Sequence, residues 1–204
     1  MKAGDLSGCH RQTWVVLIGG FTQKTYADNG LQRLWIALNR HSRPMVHIAF
    51  REWSFSYRRL AERIFHVSRF DNLPPQVVVV GYSYGGQTAL NFCRQLKRRG
   101  IEVEHLVLCD AVRRWISRIP TPSSLLRFWS LRVPDNVRSV RYFIQRVNHP
   151  RGHRVVLDDS GKTLFWNNEK NGYDLQVAHE YCDDHTVFQN HVLAQYSKVL
   201  SNEK

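Results

Sequence analysis

Residues 77–86 read Val-Val-Val-Val-Gly-Tyr-Ser-Tyr-Gly-Gly. Four consecutive valines are typical of a central strand of a parallel sheet, which is buried on both faces. The segment from Tyr84 to Arg99 is predicted to be a helix, and Gly100 after it is a natural left-handed cap. The pattern G-x-S-x-G is weak alone, but a strand before it and a helix after it are what a nucleophile elbow requires. The stretch therefore predicts a sharp turn that lifts Ser83 above a sheet.

Two glycines flank the serine, and the turn explains both. Gly81 and Gly85 lie where a side chain would obstruct a tight turn, because the backbone approaches itself closely there. Such a turn holds Ser83 in a strained conformation, and the N-terminus of the following helix favours developing negative charge. We interpret Ser83 as a nucleophile. The alternatives are a glycine-rich turn that binds a phosphate and a turn without function.

On both sides of this turn, apolar runs alternate with amphipathic segments along the sequence. The alternation predicts a mostly parallel sheet with helices on both faces, a three-layer α/β sandwich. An Asp-Asp-Ser-Gly sequence predicts a hairpin between two of the strands. The predicted strands are 14–18, 46–50, 76–80, 103–109, 139–147, the hairpin 153–157 and 162–166, and one within 173–181; the predicted helices are 31–39, 56–67, 84–99 and 186–200.

Length and composition limit the class of protein. The chain has 204 residues, of which 43% are hydrophobic and 23% charged, so we expect one globular domain over 1–204. No run approaches the ~18 apolar residues that span a bilayer. The first dozen residues lack an apolar core, so we expect no signal peptide and a cytoplasmic protein. The four cysteines are scattered without a CxxC pair, which argues against a metal site.

The charge is strongly positive, at +12. Such a field raises the encounter rate with anionic partners. The arginines form clusters in different segments rather than one stripe, so nucleic acid is an unlikely partner. Two interpretations stay open, an anionic surface or substrate and a merely solvated basic surface.

The elbow and the order of elements resemble the α/β-hydrolase superfamily, in its lipase, esterase and thioesterase branches, over roughly residues 14–200. In that family the first such strand ends in a His-Gly-x turn that supplies an oxyanion-hole amide. The matching residues here are Gly19, Gly20 and Phe21, with Gly19 in place of the histidine. The resemblance implies that the N–H groups of Phe21 and Tyr84 hold the oxyanion, each worth roughly 3–4 kcal/mol in the transition state.

The resemblance also implies a histidine base in the chain order Ser, Asp, His, in a loop before the C-terminal helix. His185 fits that place best, directly ahead of the helix predicted at 186–200. His179 falls within a predicted strand and His191 within the predicted helix, so both are weaker candidates. A histidine is needed because serine is a poor nucleophile until a neighbour takes its proton.

The predicted acid is Asp110, which ends the strand 103–109 on the edge where α/β sheets build their sites. The family usually carries its acid one strand later, where this chain has Asn148. Some lipases place the acid where Asp110 stands. The alternative is that Asp110 only caps the next segment. Asp183 and Asp184 are too close to His185 in sequence to be the first choice.

The long connection 111–137 is rich in aromatic and aliphatic residues and is expected to form a short lid, or else a packed helix that completes the core. Together these features predict a serine hydrolase that cleaves an ester or thioester of an acyl or lipid-like substrate. Ser83, His185 and Asp110 would act through an acyl-enzyme, with no metal and no organic cofactor. The alternatives are an acyltransferase and a non-catalytic binding protein with the same fold.

Overall fold

A computed structural model describes residues 11–21, 23–70, 72–113, 130–167 and 175–201. Eight strands, four α-helices and one 3₁₀ helix follow one another in this part of the chain. The strands are β1 (Thr13–Ile18), β2 (Val46–Arg51), β3 (Gln76–Tyr82), β4 (Val103–Cys109), β5 (Leu131–Val133), β6 (Val137–Phe143), β7 (Val155–Leu157) and β8 (Leu164–Asn167). The helices are α1 (Gly30–Arg40), α2 (Tyr57–Phe70), α3 (Tyr84–Lys97), the 3₁₀ helix (His179–Asp184) and α4 (Thr186–Ser201).

The main sheet has six strands in the order β2-β1-β3-β4-β6-β8, and neighbouring strands pair parallel throughout. The valine run forms the centre of the sheet, where Val78 lies opposite Val15 on one side and His105 on the other. Parallel strands require crossover connections, which the helices provide. The predicted α/β class with a mostly parallel sheet is therefore confirmed.

Helices cover both faces, because successive residues of a strand point to opposite sides. Val77 and Val79 belong to a core cluster that includes Ile64 of α2 and Phe92 of α3. Val78 and Val80, by contrast, belong to the cluster with residues of α1 and α4, such as Leu34 and Phe188. The resulting three layers leave the carboxyl ends of the strands as the edge on which a site can form.

Two predictions for the C-terminal third are wrong. The segments 153–157 and 162–166 do not form a hairpin, since β7 pairs with β5 in a separate two-stranded sheet and β8 pairs with β6. Backbone groups on the open side of β6 need partners, and β8 supplies them while extending the main sheet. The expected strand within 173–181 is reduced, in the described residues, to one bridge between Leu175 and Gln145, after which the chain turns into the 3₁₀ helix.

The lid predicted at 111–137 falls mainly outside the described residues, which lack 114–129; the described end of that connection forms β5. None of the helices in the described ranges is long and apolar enough to cross a membrane. The cytoplasmic location stays a prediction.

Candidate active site

Ser83 occupies the turn between β3 and α3 with a backbone φ of 52° and ψ of −127°. A positive φ is uncommon for a residue with a side chain and persists only where its surroundings enforce it. Here the Ser83 N–H donates to the Cys109 carbonyl at 3.0 Å. The Ser83 carbonyl in turn accepts from the N–H groups of Gly86 at 3.0 Å and Val112 at 2.9 Å. The turn is thus held by α3 and by the chain that follows β4.

The glycines of the turn lie where a side chain has no room. A Cβ on Gly81 would stand 2.9 Å from the Gly85 carbonyl oxygen, and a Cβ on Gly85 would stand 2.2 Å from the Ile18 carbonyl oxygen. Gly20 lies beside the serine itself, since its Cβ would stand 3.0 Å from the Ser83 Cβ. The turn after β1 and the turn after β3 are therefore in direct contact.

His179 joins Ser83 to a carboxylate. Its Nε2 lies 2.8 Å from Ser83 Oγ, and its Nδ1 lies 2.6 Å from Asp110 Oδ2. All three residues are buried, with at most 9% exposure. A carboxylate at Nδ1 favours the tautomer that carries its proton there, which leaves Nε2 to accept the hydrogen bond from the Ser83 hydroxyl. The arrangement can move a proton from Ser83 to His179.

The predicted pairing of His185 with Ser83 is wrong. His185 ends the 3₁₀ helix, where its N–H donates to Cys182 O at 3.2 Å and its Nδ1 accepts from Val187 N at 3.3 Å. The sequence makes His179 a weaker candidate because it falls within a predicted strand. Its backbone instead begins the 3₁₀ helix, which aims the ring at Ser83.

His191, the other weaker candidate, lies in α4 with its ring 5.5 Å from the Phe143 ring. Burial lowers the pKa of His191 to about 4, so the ring is neutral at physiological pH. Its contacts are those of a packed core histidine.

Asp110 follows β4 with a φ of 41° and is fully buried. Besides the His179 contact, its carboxylate accepts from Gly152 N at 2.7 Å, Gln145 Nε2 at 3.0 Å and Gln145 N at 3.4 Å. These donors compensate the cost of burying a carboxylate, which is large when no partners are present. A Cβ on Gly152 would stand 2.8 Å from Asp110 Oδ1, so the approach of that N–H depends on glycine.

Asn148, at the position where the resemblance usually places the acid, holds the backbone of the histidine instead. Its Oδ1 accepts from His179 N at 2.7 Å, and its Nδ2 donates to Glu180 Oε2 at 3.0 Å. Tyr82 also contacts His179. Its ring stacks on the imidazole with 5.4 Å between ring centroids, and its hydroxyl donates to His179 O at 2.5 Å. Sequence reasoning missed Tyr82 and Gln145, for which only their places at the ends of β3 and β6 were a signal.

The two residues expected to supply oxyanion amides flank Ser83 together with a tryptophan. The Phe21 ring is 59% exposed and lies 5.8 Å from the Tyr84 ring and 5.5 Å from the Trp53 ring. Trp53 Nε1–H donates to the Phe21 carbonyl at 3.1 Å. The oxyanion role of the Phe21 and Tyr84 amides stays a prediction. Among the residues the structure describes, no group of three or more His, Cys, Asp or Glu could hold a metal ion.

Comparisons with known proteins agree on the fold. A family model described as Thioesterase domain matches residues 56–120, the part that contains α2, β3, the elbow, α3 and β4. No curated protein matches the sequence. The solved structure of RedJ, a thioesterase from the prodiginine pathway of Streptomyces coelicolor, superposes with a TM-score of 0.50 at 12% identity, over 92% of this chain and 85% of RedJ.

Two further structures are similar at lower scores. A putative hydrolase of the alpha/beta superfamily from Xanthomonas campestris pv. campestris has a TM-score of 0.39 and 13% identity, over 89% of this chain and 98% of the other. Human thioesterase 2 has a TM-score of 0.40 and 10% identity, over 95% and 98%. At these identities the likeness concerns the fold. The predicted α/β-hydrolase-like fold class is confirmed at that level.

Proposed function

We propose that this chain, an α/β-hydrolase by its fold, is a serine hydrolase that cleaves an ester or thioester of an acyl substrate. The observation that carries the proposal is the continuous hydrogen-bonded path from Ser83 through His179 to Asp110 at the carboxyl edge of the sheet. The match to a thioesterase family model supports the same class of reaction.

The first half of the reaction forms the acyl-enzyme. Ser83 Oγ attacks the carbonyl carbon while His179 Nε2 takes its proton, and Asp110 stabilises the imidazolium. The N–H groups of Phe21 and Tyr84 would hold the negative oxygen of the tetrahedral intermediate. His179 then returns the proton to the departing thiolate or alkoxide, and the acyl group stays on Ser83.

The second half releases the acid. A water molecule replaces the leaving group and attacks the acyl carbon while His179 Nε2 takes one of its protons. The second tetrahedral intermediate collapses as His179 returns that proton to Ser83 Oγ, which releases the free carboxylic acid and restores the enzyme. The exposed ring of Phe21, with Trp53 and Tyr84 beside it, provides apolar surface next to the nucleophile on which an acyl chain can pack. The role of 111–137 as a lid over that surface remains a prediction.

Turnover by Ser83→Ala tests the proposal. The purified protein is offered acyl-coenzyme A thioesters and p-nitrophenyl esters of short and long chain, and released thiol, phenol and free acid are measured. The variant should lose several orders of magnitude in kcat, because no other group forms the acyl-enzyme. Circular dichroism and thermal unfolding serve as the folding control. If the folded variant is as active as the wild type, another residue is the nucleophile. If neither turns over any of these substrates, the protein is non-catalytic.

A further inference from the structure

A second hydrogen-bonded path lies near Ser83 and does not include its hydroxyl group. The Gly20 N–H donates to Gln23 Oε1 at 3.0 Å. Gln23 Nε2 donates in turn to Asp183 Oδ2 at 2.5 Å. The same carboxylate oxygen accepts from the N–H of Leu31, at the start of α1, at 3.0 Å. The path joins the turn after β1 to the 3₁₀ helix that carries His179.

Burying the Asp183 carboxylate at this position costs free energy of folding. It is 1% exposed, and the structure packs it so closely that a Cβ on Gly30 would stand 2.7 Å from its Oδ2. The backbone around it is fixed as well, since Gln189 Nε2 donates to the carbonyls of Asp183 at 3.0 Å and Gly30 at 3.3 Å. A buried carboxylate costs stability unless its hydrogen bonds are made. The proposed chemistry at Ser83 does not need this carboxylate, so its burial calls for another role.

The turn that Gln23 holds is the one that contacts Ser83. Gly20 lies against the Ser83 side chain, and its N–H is already donated to Gln23. The N–H of the next residue, Phe21, is the donor that the resemblance implies for the oxyanion. The Phe21 carbonyl oxygen accepts from Trp53 Nε1–H at 3.1 Å. The turn is therefore fixed by two side chains from different parts of the chain.

We propose that Asp183 is a positioning residue that acts through Gln23 to hold the Gly20–Phe21 turn at the distance from Ser83 that the transition state requires. This inference rests on the proposed function. Because Asp183 and His179 share one 3₁₀ helix, a single element sets both the base and the oxyanion donor relative to the nucleophile. Misplacing an oxyanion donor weakens a contact that exists only in the transition state, so kcat should fall while KM changes little.

Gln23→Leu tests the path with little change in side-chain volume. We expect kcat to fall about 10- to 100-fold, less than the loss of a whole oxyanion donor, with KM within about 2-fold. Asp183→Ala should have a similar effect, and the double variant should be no worse than the single ones, because both remove the same path. Asp183→Asn should keep most of the activity that Asp183→Ala loses, because its amide oxygen can accept from both Gln23 Nε2–H and Leu31 N–H. Asp184→Asn is the matched control and should behave as the wild type.

Hydrogen exchange gives a readout that does not need turnover. Loss of the Gln23 contact should speed exchange at the amides of residues 19–23 in Gln23→Leu, with no change in the peptide that covers α2. Unchanged exchange, unchanged kcat or a full additive loss in the double variant would each overturn the positioning role. If Ser83→Ala keeps wild-type turnover, the proposed function fails separately, and the exchange result still decides whether the path holds the turn.

Discussion

Two buried carboxylates near Ser83 have different surroundings. Asp110 accepts hydrogen bonds from Gly152, Gln145 and His179. Asp183 accepts from Gln23 and Leu31, and burial outweighs these contacts, raising its pKa to about 6. Each carboxylate thus holds a different part of the site, and the buried Asp183 carboxylate carries an energetic penalty that depends on pH.

Asp183 should make the stability of the protein depend on pH. Its folded pKa, about 6, lies above the ordinary value of 3.8, so the folded protein keeps this proton longer than the unfolded chain. Its contribution to the free energy of unfolding therefore falls as pH rises from about 4 to about 6, and stays low above that range. The charge of Asp184 raises the pKa of Asp183, because two neighbouring carboxylates repel each other. The Asp183 carboxylate in turn raises the pKa values of Tyr82 and Cys109.

Asp183→Asn removes this titration. Its free energy of unfolding relative to the wild type should rise by roughly 1 kcal/mol between pH 5 and pH 7.5, measured by urea denaturation at both pH values. Asp184→Asn removes only one of the causes that raise this pKa, so it should show a smaller rise. A difference between Asp183→Asn and the wild type that is constant with pH would contradict the assignment.

At this scale the sequence predicts the residues that stand directly at strand ends. Ser83 and Asp110 lie just beyond β3 and β4, where the G-x-S-x-G motif and the end of the predicted strand 103–109 place them. His179 follows no strand in the described residues, since that part of the chain makes a single bridge before the 3₁₀ helix begins. It is the weaker candidate in the sequence because the strand predicted within 173–181 would place it inside an element.

At the scale of elements, the strands and helices up to residue 109 follow the prediction within a few residues. Their hydrophobic periodicity is strong, and each buries an apolar face against its neighbours in sequence. Three of the later strands, β5, β7 and β8, have only three or four residues, and β7 and β8 each pair with a strand that is not their neighbour in chain order. β8 pairs with β6, and β7 pairs with β5, which no local pattern specifies. A turn sequence such as Asp-Asp-Ser-Gly predicts a change of direction but not which strand the chain meets next.

The 3₁₀ helix is the element that sequence reasoning could not supply. It is held by contacts from elsewhere in the chain, including Tyr82 and Asn148 on His179 and Gln23 on Asp183. Six residues without a strong apolar period give no signal for such a helix. Its placement follows from tertiary packing between α1 and α4.

At the scale of the whole molecule, the excess positive charge includes one concentrated surface. The exposed side of α2 carries Arg58, Arg59, Arg63 and Arg69, while its one acid, Glu62, pairs at 3.1 Å with Arg99, which follows α3. Arg63 also lies over the Trp14 ring at 5.9 Å, which leaves its charge in place. We propose that this side of α2 favours anionic surfaces.

Binding to lipid vesicles tests that surface. The protein should sediment with vesicles that contain phosphatidylserine and not with phosphatidylcholine vesicles, and binding should weaken strongly from 50 to 200 mM salt, because exposed charges are screened over ~8–10 Å. Arg58→Glu combined with Arg59→Glu should reduce binding, whereas Arg40→Glu on α1 should not. Equal binding to both vesicles without salt dependence would mean that the positive charge only solvates the surface.

Labelling with a fluorophosphonate reports both which residue is the nucleophile and how strongly it is activated. Mass spectrometry of the labelled wild type should place the adduct on Ser83. The labelling rate should fall by several orders of magnitude in His179→Ala, which removes the group that takes the serine proton. It should be unchanged in His185→Ala, which removes the other histidine of the same segment. An adduct on another residue, or a rate that depends on His185 and not on His179, would contradict the account.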